Sequence, residues 1–421
     1  MRTIFGSITA TRLRTLTAIT LAALILRLAV ALLAYRHRDI VGMLWPRGEA
    51  LGIAKSLLLG TGFASPFSLP TGPTAFLTPV YPVMLAGIER LFGIASPASA
   101  WAIVCVQCLF SALTCVAIYF LGNEIVDERT ARRAAWIWAL FPYAIILPTN
   151  IIWESSLSAL ILTLGLFAFL TIVRSQSCVT WALVGAYWAF ACLVNATLLL
   201  LLPALLIFVV SRDRHLGHRA ILCAATFLIC LLPWSIRNYT TFHKVFPLRD
   251  NFALELWMGN YDGATTRFTP EIHPAFNMRE VQRYQSLGEI QYMAEKRDIA
   301  VAFIKAHPFL FVENSVQRFF TYWFDWHALW LLIPVLTVGG FAGLALISSR
   351  AHPLASIVWI PLVFYPLPYY ITHPDLRYQH PLQPLLAILC AYASLARSWE
   401  LRPPHKLILI SAMKKSRLIK P

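Results

Sequence analysis

The sequence predicts an all-α integral membrane protein with about ten transmembrane helices and amphipathic surface helices in two long segments outside the bilayer. Three observations lead there. The 421 residues are 58% hydrophobic and only 13% charged, whereas a soluble domain is about 45–50% apolar and about 25% charged. Apolar runs of membrane-crossing length recur along the chain. Among the short intervals between those runs, Lys and Arg collect in every second one, the asymmetry expected of cytoplasmic loops, while the two long intervals cross largely regardless of their charge.

The first run, 15–35, follows Arg2, Arg12 and Arg14. It is too long for a signal-peptide core and no small-residue cleavage site follows, so it reads as a retained anchor. Further runs lie near 99–121, 134–149, 155–173, 179–194, 197–211, 220–236, 327–347, 354–371 and 382–396. The stretch 179–211 is too long for one helix, and Asn195 is the expected break. With the N-terminus inside, the cytoplasmic intervals hold Arg129, Arg132, Arg133, Arg174, Arg212, Arg214, Arg219 and Arg350. Both termini then lie in the cytoplasm of a multi-pass protein of the plasma (inner) membrane. Residues 1–396 form one polytopic domain, and 397–421 form a basic cytoplasmic tail.

The net charge of +15 raises nucleic acid as a partner only until the charges are placed. Seven of the 35 Lys and Arg lie in the last 25 residues, beside the end of a helix, and no basic stretch accompanies a nucleic-acid motif. Seven of the eight cysteines sit inside apolar runs, so Cys105-x-x-Cys108 reads as buried thiols and not as a redox or zinc pair.

Two long intervals, 36–98 and 237–326, fall outside. In the first, Ile53, Leu57 and Leu58, then Val83, Leu85, Ala86, Ile88 and Leu91, recur at helical spacing, as expected of helices lying on a membrane surface. Gly60, Gly62, Pro66, Pro70, Gly72, Pro73, Pro79 and Pro82 impose turns between them. The second ends in an amphipathic stretch, 289–306, stopped near His307-Pro308.

No Walker loop, GxGxxG, HExxH or GxSxG is present. What remains is a set of carboxylates and arginines at the outer boundary. Glu49 follows the first helix, as does Asp39, and Glu154 opens the fourth. A partly desolvated carboxylate there has a raised pKa and accepts a proton from a nucleophile. The alternative is a solvated loop charge or a helix-start acid. Arg237, Arg249 and Arg377 are suited to phosphate, or else snorkel to headgroups or pair with Asp375 or Asp250. Arg27 lies inside the first helix, where a charge needs a partner or water; it either pairs with Glu49 or Glu154 or simply holds two helices together. The histidines form no metal cluster in the sequence, although His373 and His380 flank Arg377. The sequon-like Asn195-Ala196-Thr197 lies at a membrane break and is discounted as a glycosylation site.

Several segments are familiar in their order. They are Glu49 with Ile53-Ala54-Lys55-Ser56-Leu57 and Gly60-Thr61-Gly62-Phe63, then Thr71-Gly72-Pro73-Thr74-Ala75 and Pro79-Val80-Tyr81-Pro82. Later come Trp153-Glu154, Pro233-Trp234-Ser235-Ile236-Arg237-Asn238, Trp257-Met258-Gly259-Asn260 and Arg377-Tyr378-Gln379-His380-Pro381. Together they resemble the GT-C superfamily of membrane glycosyltransferases, in particular its bacterial family 39-like branch, related to protein O-mannosyltransferases and aminoarabinose transferases. The resemblance implies a GT-C-like fold, a polyprenyl-phosphate-linked sugar donor and transfer with inversion at the anomeric carbon, outside the cytoplasm. It implies Glu49 as the acid that activates the acceptor, Glu154 as a second acid, and Arg237 and Arg377 as phosphate ligands. Arg249, Tyr378, His380 and Asn260 complete the candidate substrate-binding set. No cofactor is expected, and a loosely bound divalent cation at Glu49 and Glu154 stays open. The expected partners are the donor, membrane lipids and an acceptor that is a glycan, lipid or protein. A lipid-linked glycan polymerase or ligase, and a transporter or flippase, remain alternatives. The latter calls for internal repeats and helices broken at the midplane, and no repeat between the halves is visible.

Overall fold

The computed structural model describes residues 10–44, 48–350 and 355–395. The proposed basic tail 397–421, Arg2 and Arg47 lie outside the described residues. Every named element is helical, and the only strand-like pairing among the described residues is an isolated bridge between Ala64 and Pro73.

α1 (Ala10–Tyr35) is followed by the short α2 (Ile40–Leu44). α3 (Glu49–Leu58) and α4 (Val80–Phe92) are the amphipathic pieces expected in the first outer segment. α5 (Pro97–Ile125) starts at a capping box in which Ser96 and Ser99 satisfy each other's backbone N–H groups, with Pro97 at the first helical position. Asp127 caps α6 (Glu128–Leu140), and the chain turns at extended Phe141, ahead of Pro142, into α7 (Pro142–Asn150). α8 (Ser155–Ile172) and α9 (Cys178–Val194) follow. The break at Asn195 is where the sequence places it, and the Asn195 side chain caps the 3-10 turn leading to α10 (Leu201–Arg212).

α11 (Gly217–Phe242) ends at left-handed His243. The second outer segment then folds as α12 (Phe252–Gly259), α13 (Met278–Leu287), α14 (Glu289–Ala306) and α15 (Pro308–Trp323). α16 (Ile333–Ser349), α17 (Ala355–Phe364), α18 (Leu367–Ile371), α19 (Leu376–Gln379) and α20 (Gln383–Leu395) complete the chain.

Four stretches are long and apolar enough to cross a membrane by themselves: Ala10–Tyr35, Pro97–Ile125, Ser155–Ile172 and Arg214–Phe242. α14 with 308–331 passes the same test only as one span bent by 105°. The protein is therefore a multi-pass, all-α membrane protein with four or five such spans among the described residues, fewer than the sequence predicts. The other apolar runs form helices of 10–17 residues, short of the roughly 20 a crossing needs. Local chemistry shortens them. Phe141-Pro142 divides the third run, Phe364 to Pro366 separates α17 from α18, and left-handed Leu332 delays the start of α16.

The helices pack closest as α16 with α20, α9 with α11 and α5 with α8. At Gly185 of α9 a Cβ would collide with the Cys223 carbonyl of α11, so this contact depends on glycine. At one end of the bundle lie Arg12 with Glu128 (2.6 Å), Arg174 with Glu124, Arg133 with Ser394 and Arg350 with Tyr392. At the other end, Tyr35 donates to the Thr149 carbonyl and stacks edge-on against Trp101. The two outer segments cover that end.

Arg27, fully buried, pairs with no carboxylate. Its Nε donates to Ser111 Oγ (2.8 Å), and its Nη atoms donate to the carbonyls of Ala23, Ala139 and Trp138. It joins α1, α5 and α6, which decides between the two expectations for it. Arg27→Met removes these four hydrogen bonds, and hydrogen bonds to a charged group contribute about 1.5–3 kcal/mol each, although Ser111 Oγ and the Trp138 carbonyl keep the Ala144 carbonyl and the Phe141 N–H as partners. The expected result is a lower melting temperature in detergent, with ligand affinity unchanged in the folded fraction.

Candidate functional site

Beneath the outer segments, at the end opposite the arginine belt, lies a cavity of approximately 620 Å³. Its walls come from the start of α3, the loop between α7 and α8, the Asn195 break, the 247–255 stretch, 268–276 and the α17–α19 region. It brings Glu49, Glu154, Arg249, Arg377 and Tyr378 together.

Glu49 stands in the first turn of α3 and is 7% exposed. Burial pushes its carboxyl up to about 7, against the pull of the Arg377 charge. His273 Nδ1 is 3.9 Å from Glu49 Oε1, and burial pushes the His273 ring down to about 4, so it is neutral. The ring sits among Phe67, Phe76, Phe268 and Phe276. Glu154, just before α8, is also raised by burial, with Arg249 and Arg377 pulling the other way.

The Arg377 guanidinium lies 4.3 Å from the centre of the Trp153 ring and 5.2 Å from that of Tyr378. Its Nε has no hydrogen-bond partner and approaches Asp375 only to 3.5 Å. Burial works against its charge, but Tyr378, Asp375, Glu49 and Glu154 hold it more firmly protonated than a free arginine. Arg249 makes no hydrogen bond or ion pair with the described residues, although its charge reaches Glu154, Glu255 and Tyr369. The cavity thus holds two guanidinium groups with donors to spare and two carboxyls whose burial makes them basic.

Three of the expected residues lie elsewhere. Arg237 does not line the cavity. Its Nη atoms donate to the carbonyls of Thr74 (2.7 Å) and Phe63 (2.9 Å), between the rings of Phe63, Trp234 and Phe242. Asn260 donates to the Leu256 and Ile371 carbonyls, and His380 is enclosed by Trp138 and Tyr143 with Nδ1 on Gln383. Each commits polar groups to holding segments together, although Asn260 Oδ1 and His380 Nε2 are buried with no hydrogen-bond partner among the described residues. Asp39, the other acid near the first helix, hydrogen-bonds the Val41 N–H and does not line the cavity.

Glu255, Asn251, His273, Asn195 and Thr197 line the cavity and were not singled out as candidates from the sequence. Glu255 had a signal, being a lone charge between Ala253-Leu254 and Leu256-Trp257. Burial alone would raise it, but the hydrogen-bonded His373 ring, 2.7 Å away, and the Arg249 charge hold it down at about 2. Among the described residues, no group of three or more His, Cys, Asp or Glu gathers to hold a metal ion.

A second carboxyl pair ties the outer segments together. Glu289 accepts from Thr74 Oγ1, Tyr284 OH and the Ala75 N–H, and Asp250 lies against it. Burial raises both above the usual carboxylate range; the Glu289 charge adds to the rise at Asp250, whereas the hydrogen bonds at Glu289 work against its own. A carboxyl raised in the folded state contributes stability at low pH that is lost as pH rises through its folded value. The melting temperature is expected to fall between about pH 4 and about pH 9, from the ordinary to the raised Asp250 value, and Asp250→Asn to flatten that dependence.

The family of dolichyl-phosphate-mannose-protein mannosyltransferases matches residues 76–236, less than half of the chain. The matched part carries Glu154 and the Asn195 break, and Glu49 and Arg377 lie outside it. No curated protein sequence matches the chain. Among solved structures, the archaeal oligosaccharyltransferase AglB from Archaeoglobus fulgidus, in complex with an inhibitory peptide and a dolichol-phosphate, superposes with a TM-score of 0.58. The identity is 15%, over 97% of this chain and 54% of that one. The chain shares the fold of the part of that enzyme it covers. The same archaeal enzyme tethered to an acceptor peptide gives a TM-score of 0.56 at 16% identity, over 98% of this chain and 54% of that one. ArnT from Cupriavidus metallidurans bound to undecaprenyl phosphate gives 0.48 at 17% identity, over 93% and 63%. The chain spans about half the length of the oligosaccharyltransferase structures it matches.

Proposed function

We propose that the protein is an inverting glycosyltransferase that moves a sugar from a polyprenyl-phosphate donor to an acceptor outside the cytoplasm. The observation that carries this reading is the meeting of Glu49 with Arg249 and Arg377 in one cavity. Inversion needs a base on one face of the anomeric carbon and a stabilised leaving group on the other (by analogy with glycoside hydrolysis). Glu49 takes the proton of the acceptor as its oxygen attacks. The bond from the anomeric carbon to the phosphate oxygen breaks, and Arg377 and Arg249 hold the departing lipid phosphate. Tyr378 walls the phosphate end, and Glu154 is the second acid beside it. The match to the mannosyltransferase family and the likeness to an oligosaccharyltransferase fold support the same chemistry.

The proposed topology keeps ten crossings, with the shorter helices and paired segments such as α6–α7 and α17–α18 completing the count. The arginine belt faces the cytoplasm, both termini are cytoplasmic, and the membrane is the plasma (inner) membrane. The cavity then opens where bilayer meets water, at the depth of a lipid headgroup. The test is incubation of the purified protein with a set of polyprenyl-phosphate sugars and membrane extract, with and without EDTA, followed by mass analysis. A mass gain of one glycosyl unit on an acceptor, with release of polyprenyl phosphate, is expected. Movement of the intact lipid across proteoliposomes without cleavage would replace this reading with a flippase.

A further inference from the structure

Within the cavity, the wall built by the start of α12 is chemically unlike the wall that carries Arg377. Asn251 is 2% exposed, and its Nδ2 donates to Glu255 Oε1 at 3.0 Å. That bond orients the amide, because the flipped amide would set two oxygens against each other. The Asn251 Oδ1 is thereby left buried with no hydrogen-bond partner, although the residue lines the cavity. Beside it, Glu255 is anchored from behind by fully buried His373, whose Nε2 lies 2.7 Å from Oε2. Each carboxylate oxygen is engaged once and keeps further acceptor capacity. An unpaired buried acceptor is costly, so this wall is built to meet hydrogen-bond donors that the described residues do not supply.

Two classes of ligand bring such donors, a cationic amine and a hydroxylated ring. Arg249 and Arg377 line the same cavity; the Arg249 charge already reaches the Glu255 carboxylate, and burial favours the neutral forms of Glu49 and Glu154, so an ammonium would find two guanidinium charges and no unmatched carboxylate. Neutral hydroxyls carry no such penalty. The aromatic surfaces of Phe252, Phe268 and Tyr378 line the cavity too, and flat apolar faces beside a few fixed polar groups suit a ring with an apolar face and a hydroxylated edge.

We infer that Asn251 and Glu255 form the sugar subsite of the cavity, accepting hydrogen bonds from two adjacent hydroxyls of the donor sugar. This rests on the donor proposed above and adds which residues read its sugar. His373 is a positioning residue, holding the Glu255 carboxylate from the side away from the cavity. The inferred substrate class is a neutral hexose or pentose with a free vicinal diol.

The test compares two ligands on the full-length protein in detergent. One is polyprenyl phosphate alone, and the other is the polyprenyl-phosphate hexose or pentose that wild type binds best from a tested set. The quantity read is the ratio of the two affinities, so that a change in cavity charge, which acts on the phosphate of both, cancels. In Asn251→Ala and Glu255→Gln this ratio is expected to shift at least tenfold against the sugar-bearing ligand, about 1.4 kcal/mol. Affinity for bare polyprenyl phosphate in Asn251→Ala should stay within about threefold, which also reports a folded cavity. A donor lacking one of the two hydroxyls should lose affinity for wild type and much less for Asn251→Ala. An unchanged ratio in both variants, or the same loss for the deoxy donor in wild type and variant, overturns the subsite. Failure of wild type to bind polyprenyl phosphate at all would instead remove the donor reading beneath it.

Discussion

Glu49→Gln is expected to lower kcat by about 10²- to 10⁴-fold, the usual contribution of a positioned general base. Glutamine fills nearly the same volume, so the start of α3 and the cavity wall should persist, and donor affinity should change little. Wild type supplies the matching signature in pH. Burial raises the Glu49 carboxyl to about 7, and a base acts only when deprotonated. The value of kcat should therefore rise with pH through about 7 and level off above it, while the residual rate of the variant stays flat across that range. Retention of more than about a tenth of the wild-type turnover would show that the acceptor proton leaves by another route.

Arg377→Ala is the second large effect, and it falls on binding. Hydrogen bonds to charged groups contribute about 1.5–3 kcal/mol, so donor affinity should drop by roughly 10- to 100-fold. Turnover of bound donor should fall less. The same substitution has an independent readout at Glu49. The Arg377 charge favours the ionised Glu49 carboxylate, so its loss should move the pH midpoint of kcat to more alkaline values. Arg377→Lys separates the two roles. An ammonium restores charge near Glu49, and with it part of the midpoint, but it lacks the planar fork that grips phosphate. Donor affinity unchanged in Arg377→Ala would take the residue out of the phosphate site.

These expectations require the carboxylate of the first outer segment and the arginine of the last to share a cavity. They are more than 300 residues apart in the sequence. Their common depth could be read from the positions of the apolar runs, because Glu49 follows one run and Arg377 precedes another on the same face. Their common cavity could not. It exists because the outer segments fold back over the bundle, held by the Glu289 contacts to Thr74 and Ala75 and by Arg237 on the Phe63 and Thr74 carbonyls. Arg237 shows the limit of reading charge from position. From the sequence it is one more boundary arginine, and only the neighbouring carbonyls decide that its fork is spent on the chain.

The span count shows the same division. Apolar content marks each run that leaves water, and the long α1, α5, α8 and α11 match that marking. Whether a run becomes one straight helix depends on breaks at Phe141, Asn195, Leu332 and Pro366, whose effect is set by what packs around them. Glu255 is the clearest case at the site. Its sequence context, a lone acid among apolar residues, gives only a charge that needs a reason.

By itself the sequence determined the membrane as solvent, the helical class, the break at Asn195, the amphipathic outer helices and the candidacy of Glu49, Glu154, Arg249, Arg377 and Tyr378. The membrane, the helices and their breaks follow from local composition and periodicity, and the boundary charges from their place beside the apolar runs, whereas Tyr378 entered only through the family resemblance. Only the tertiary structure decided that Arg27 binds backbone and that Arg237, Asn260 and His380 stand apart from the cavity. It alone brought Asn251, Glu255 and His273 into the cavity. Desolvation and hydrogen-bond partnership belong to the packed neighbourhood of a side chain, and residues distant in sequence build that neighbourhood.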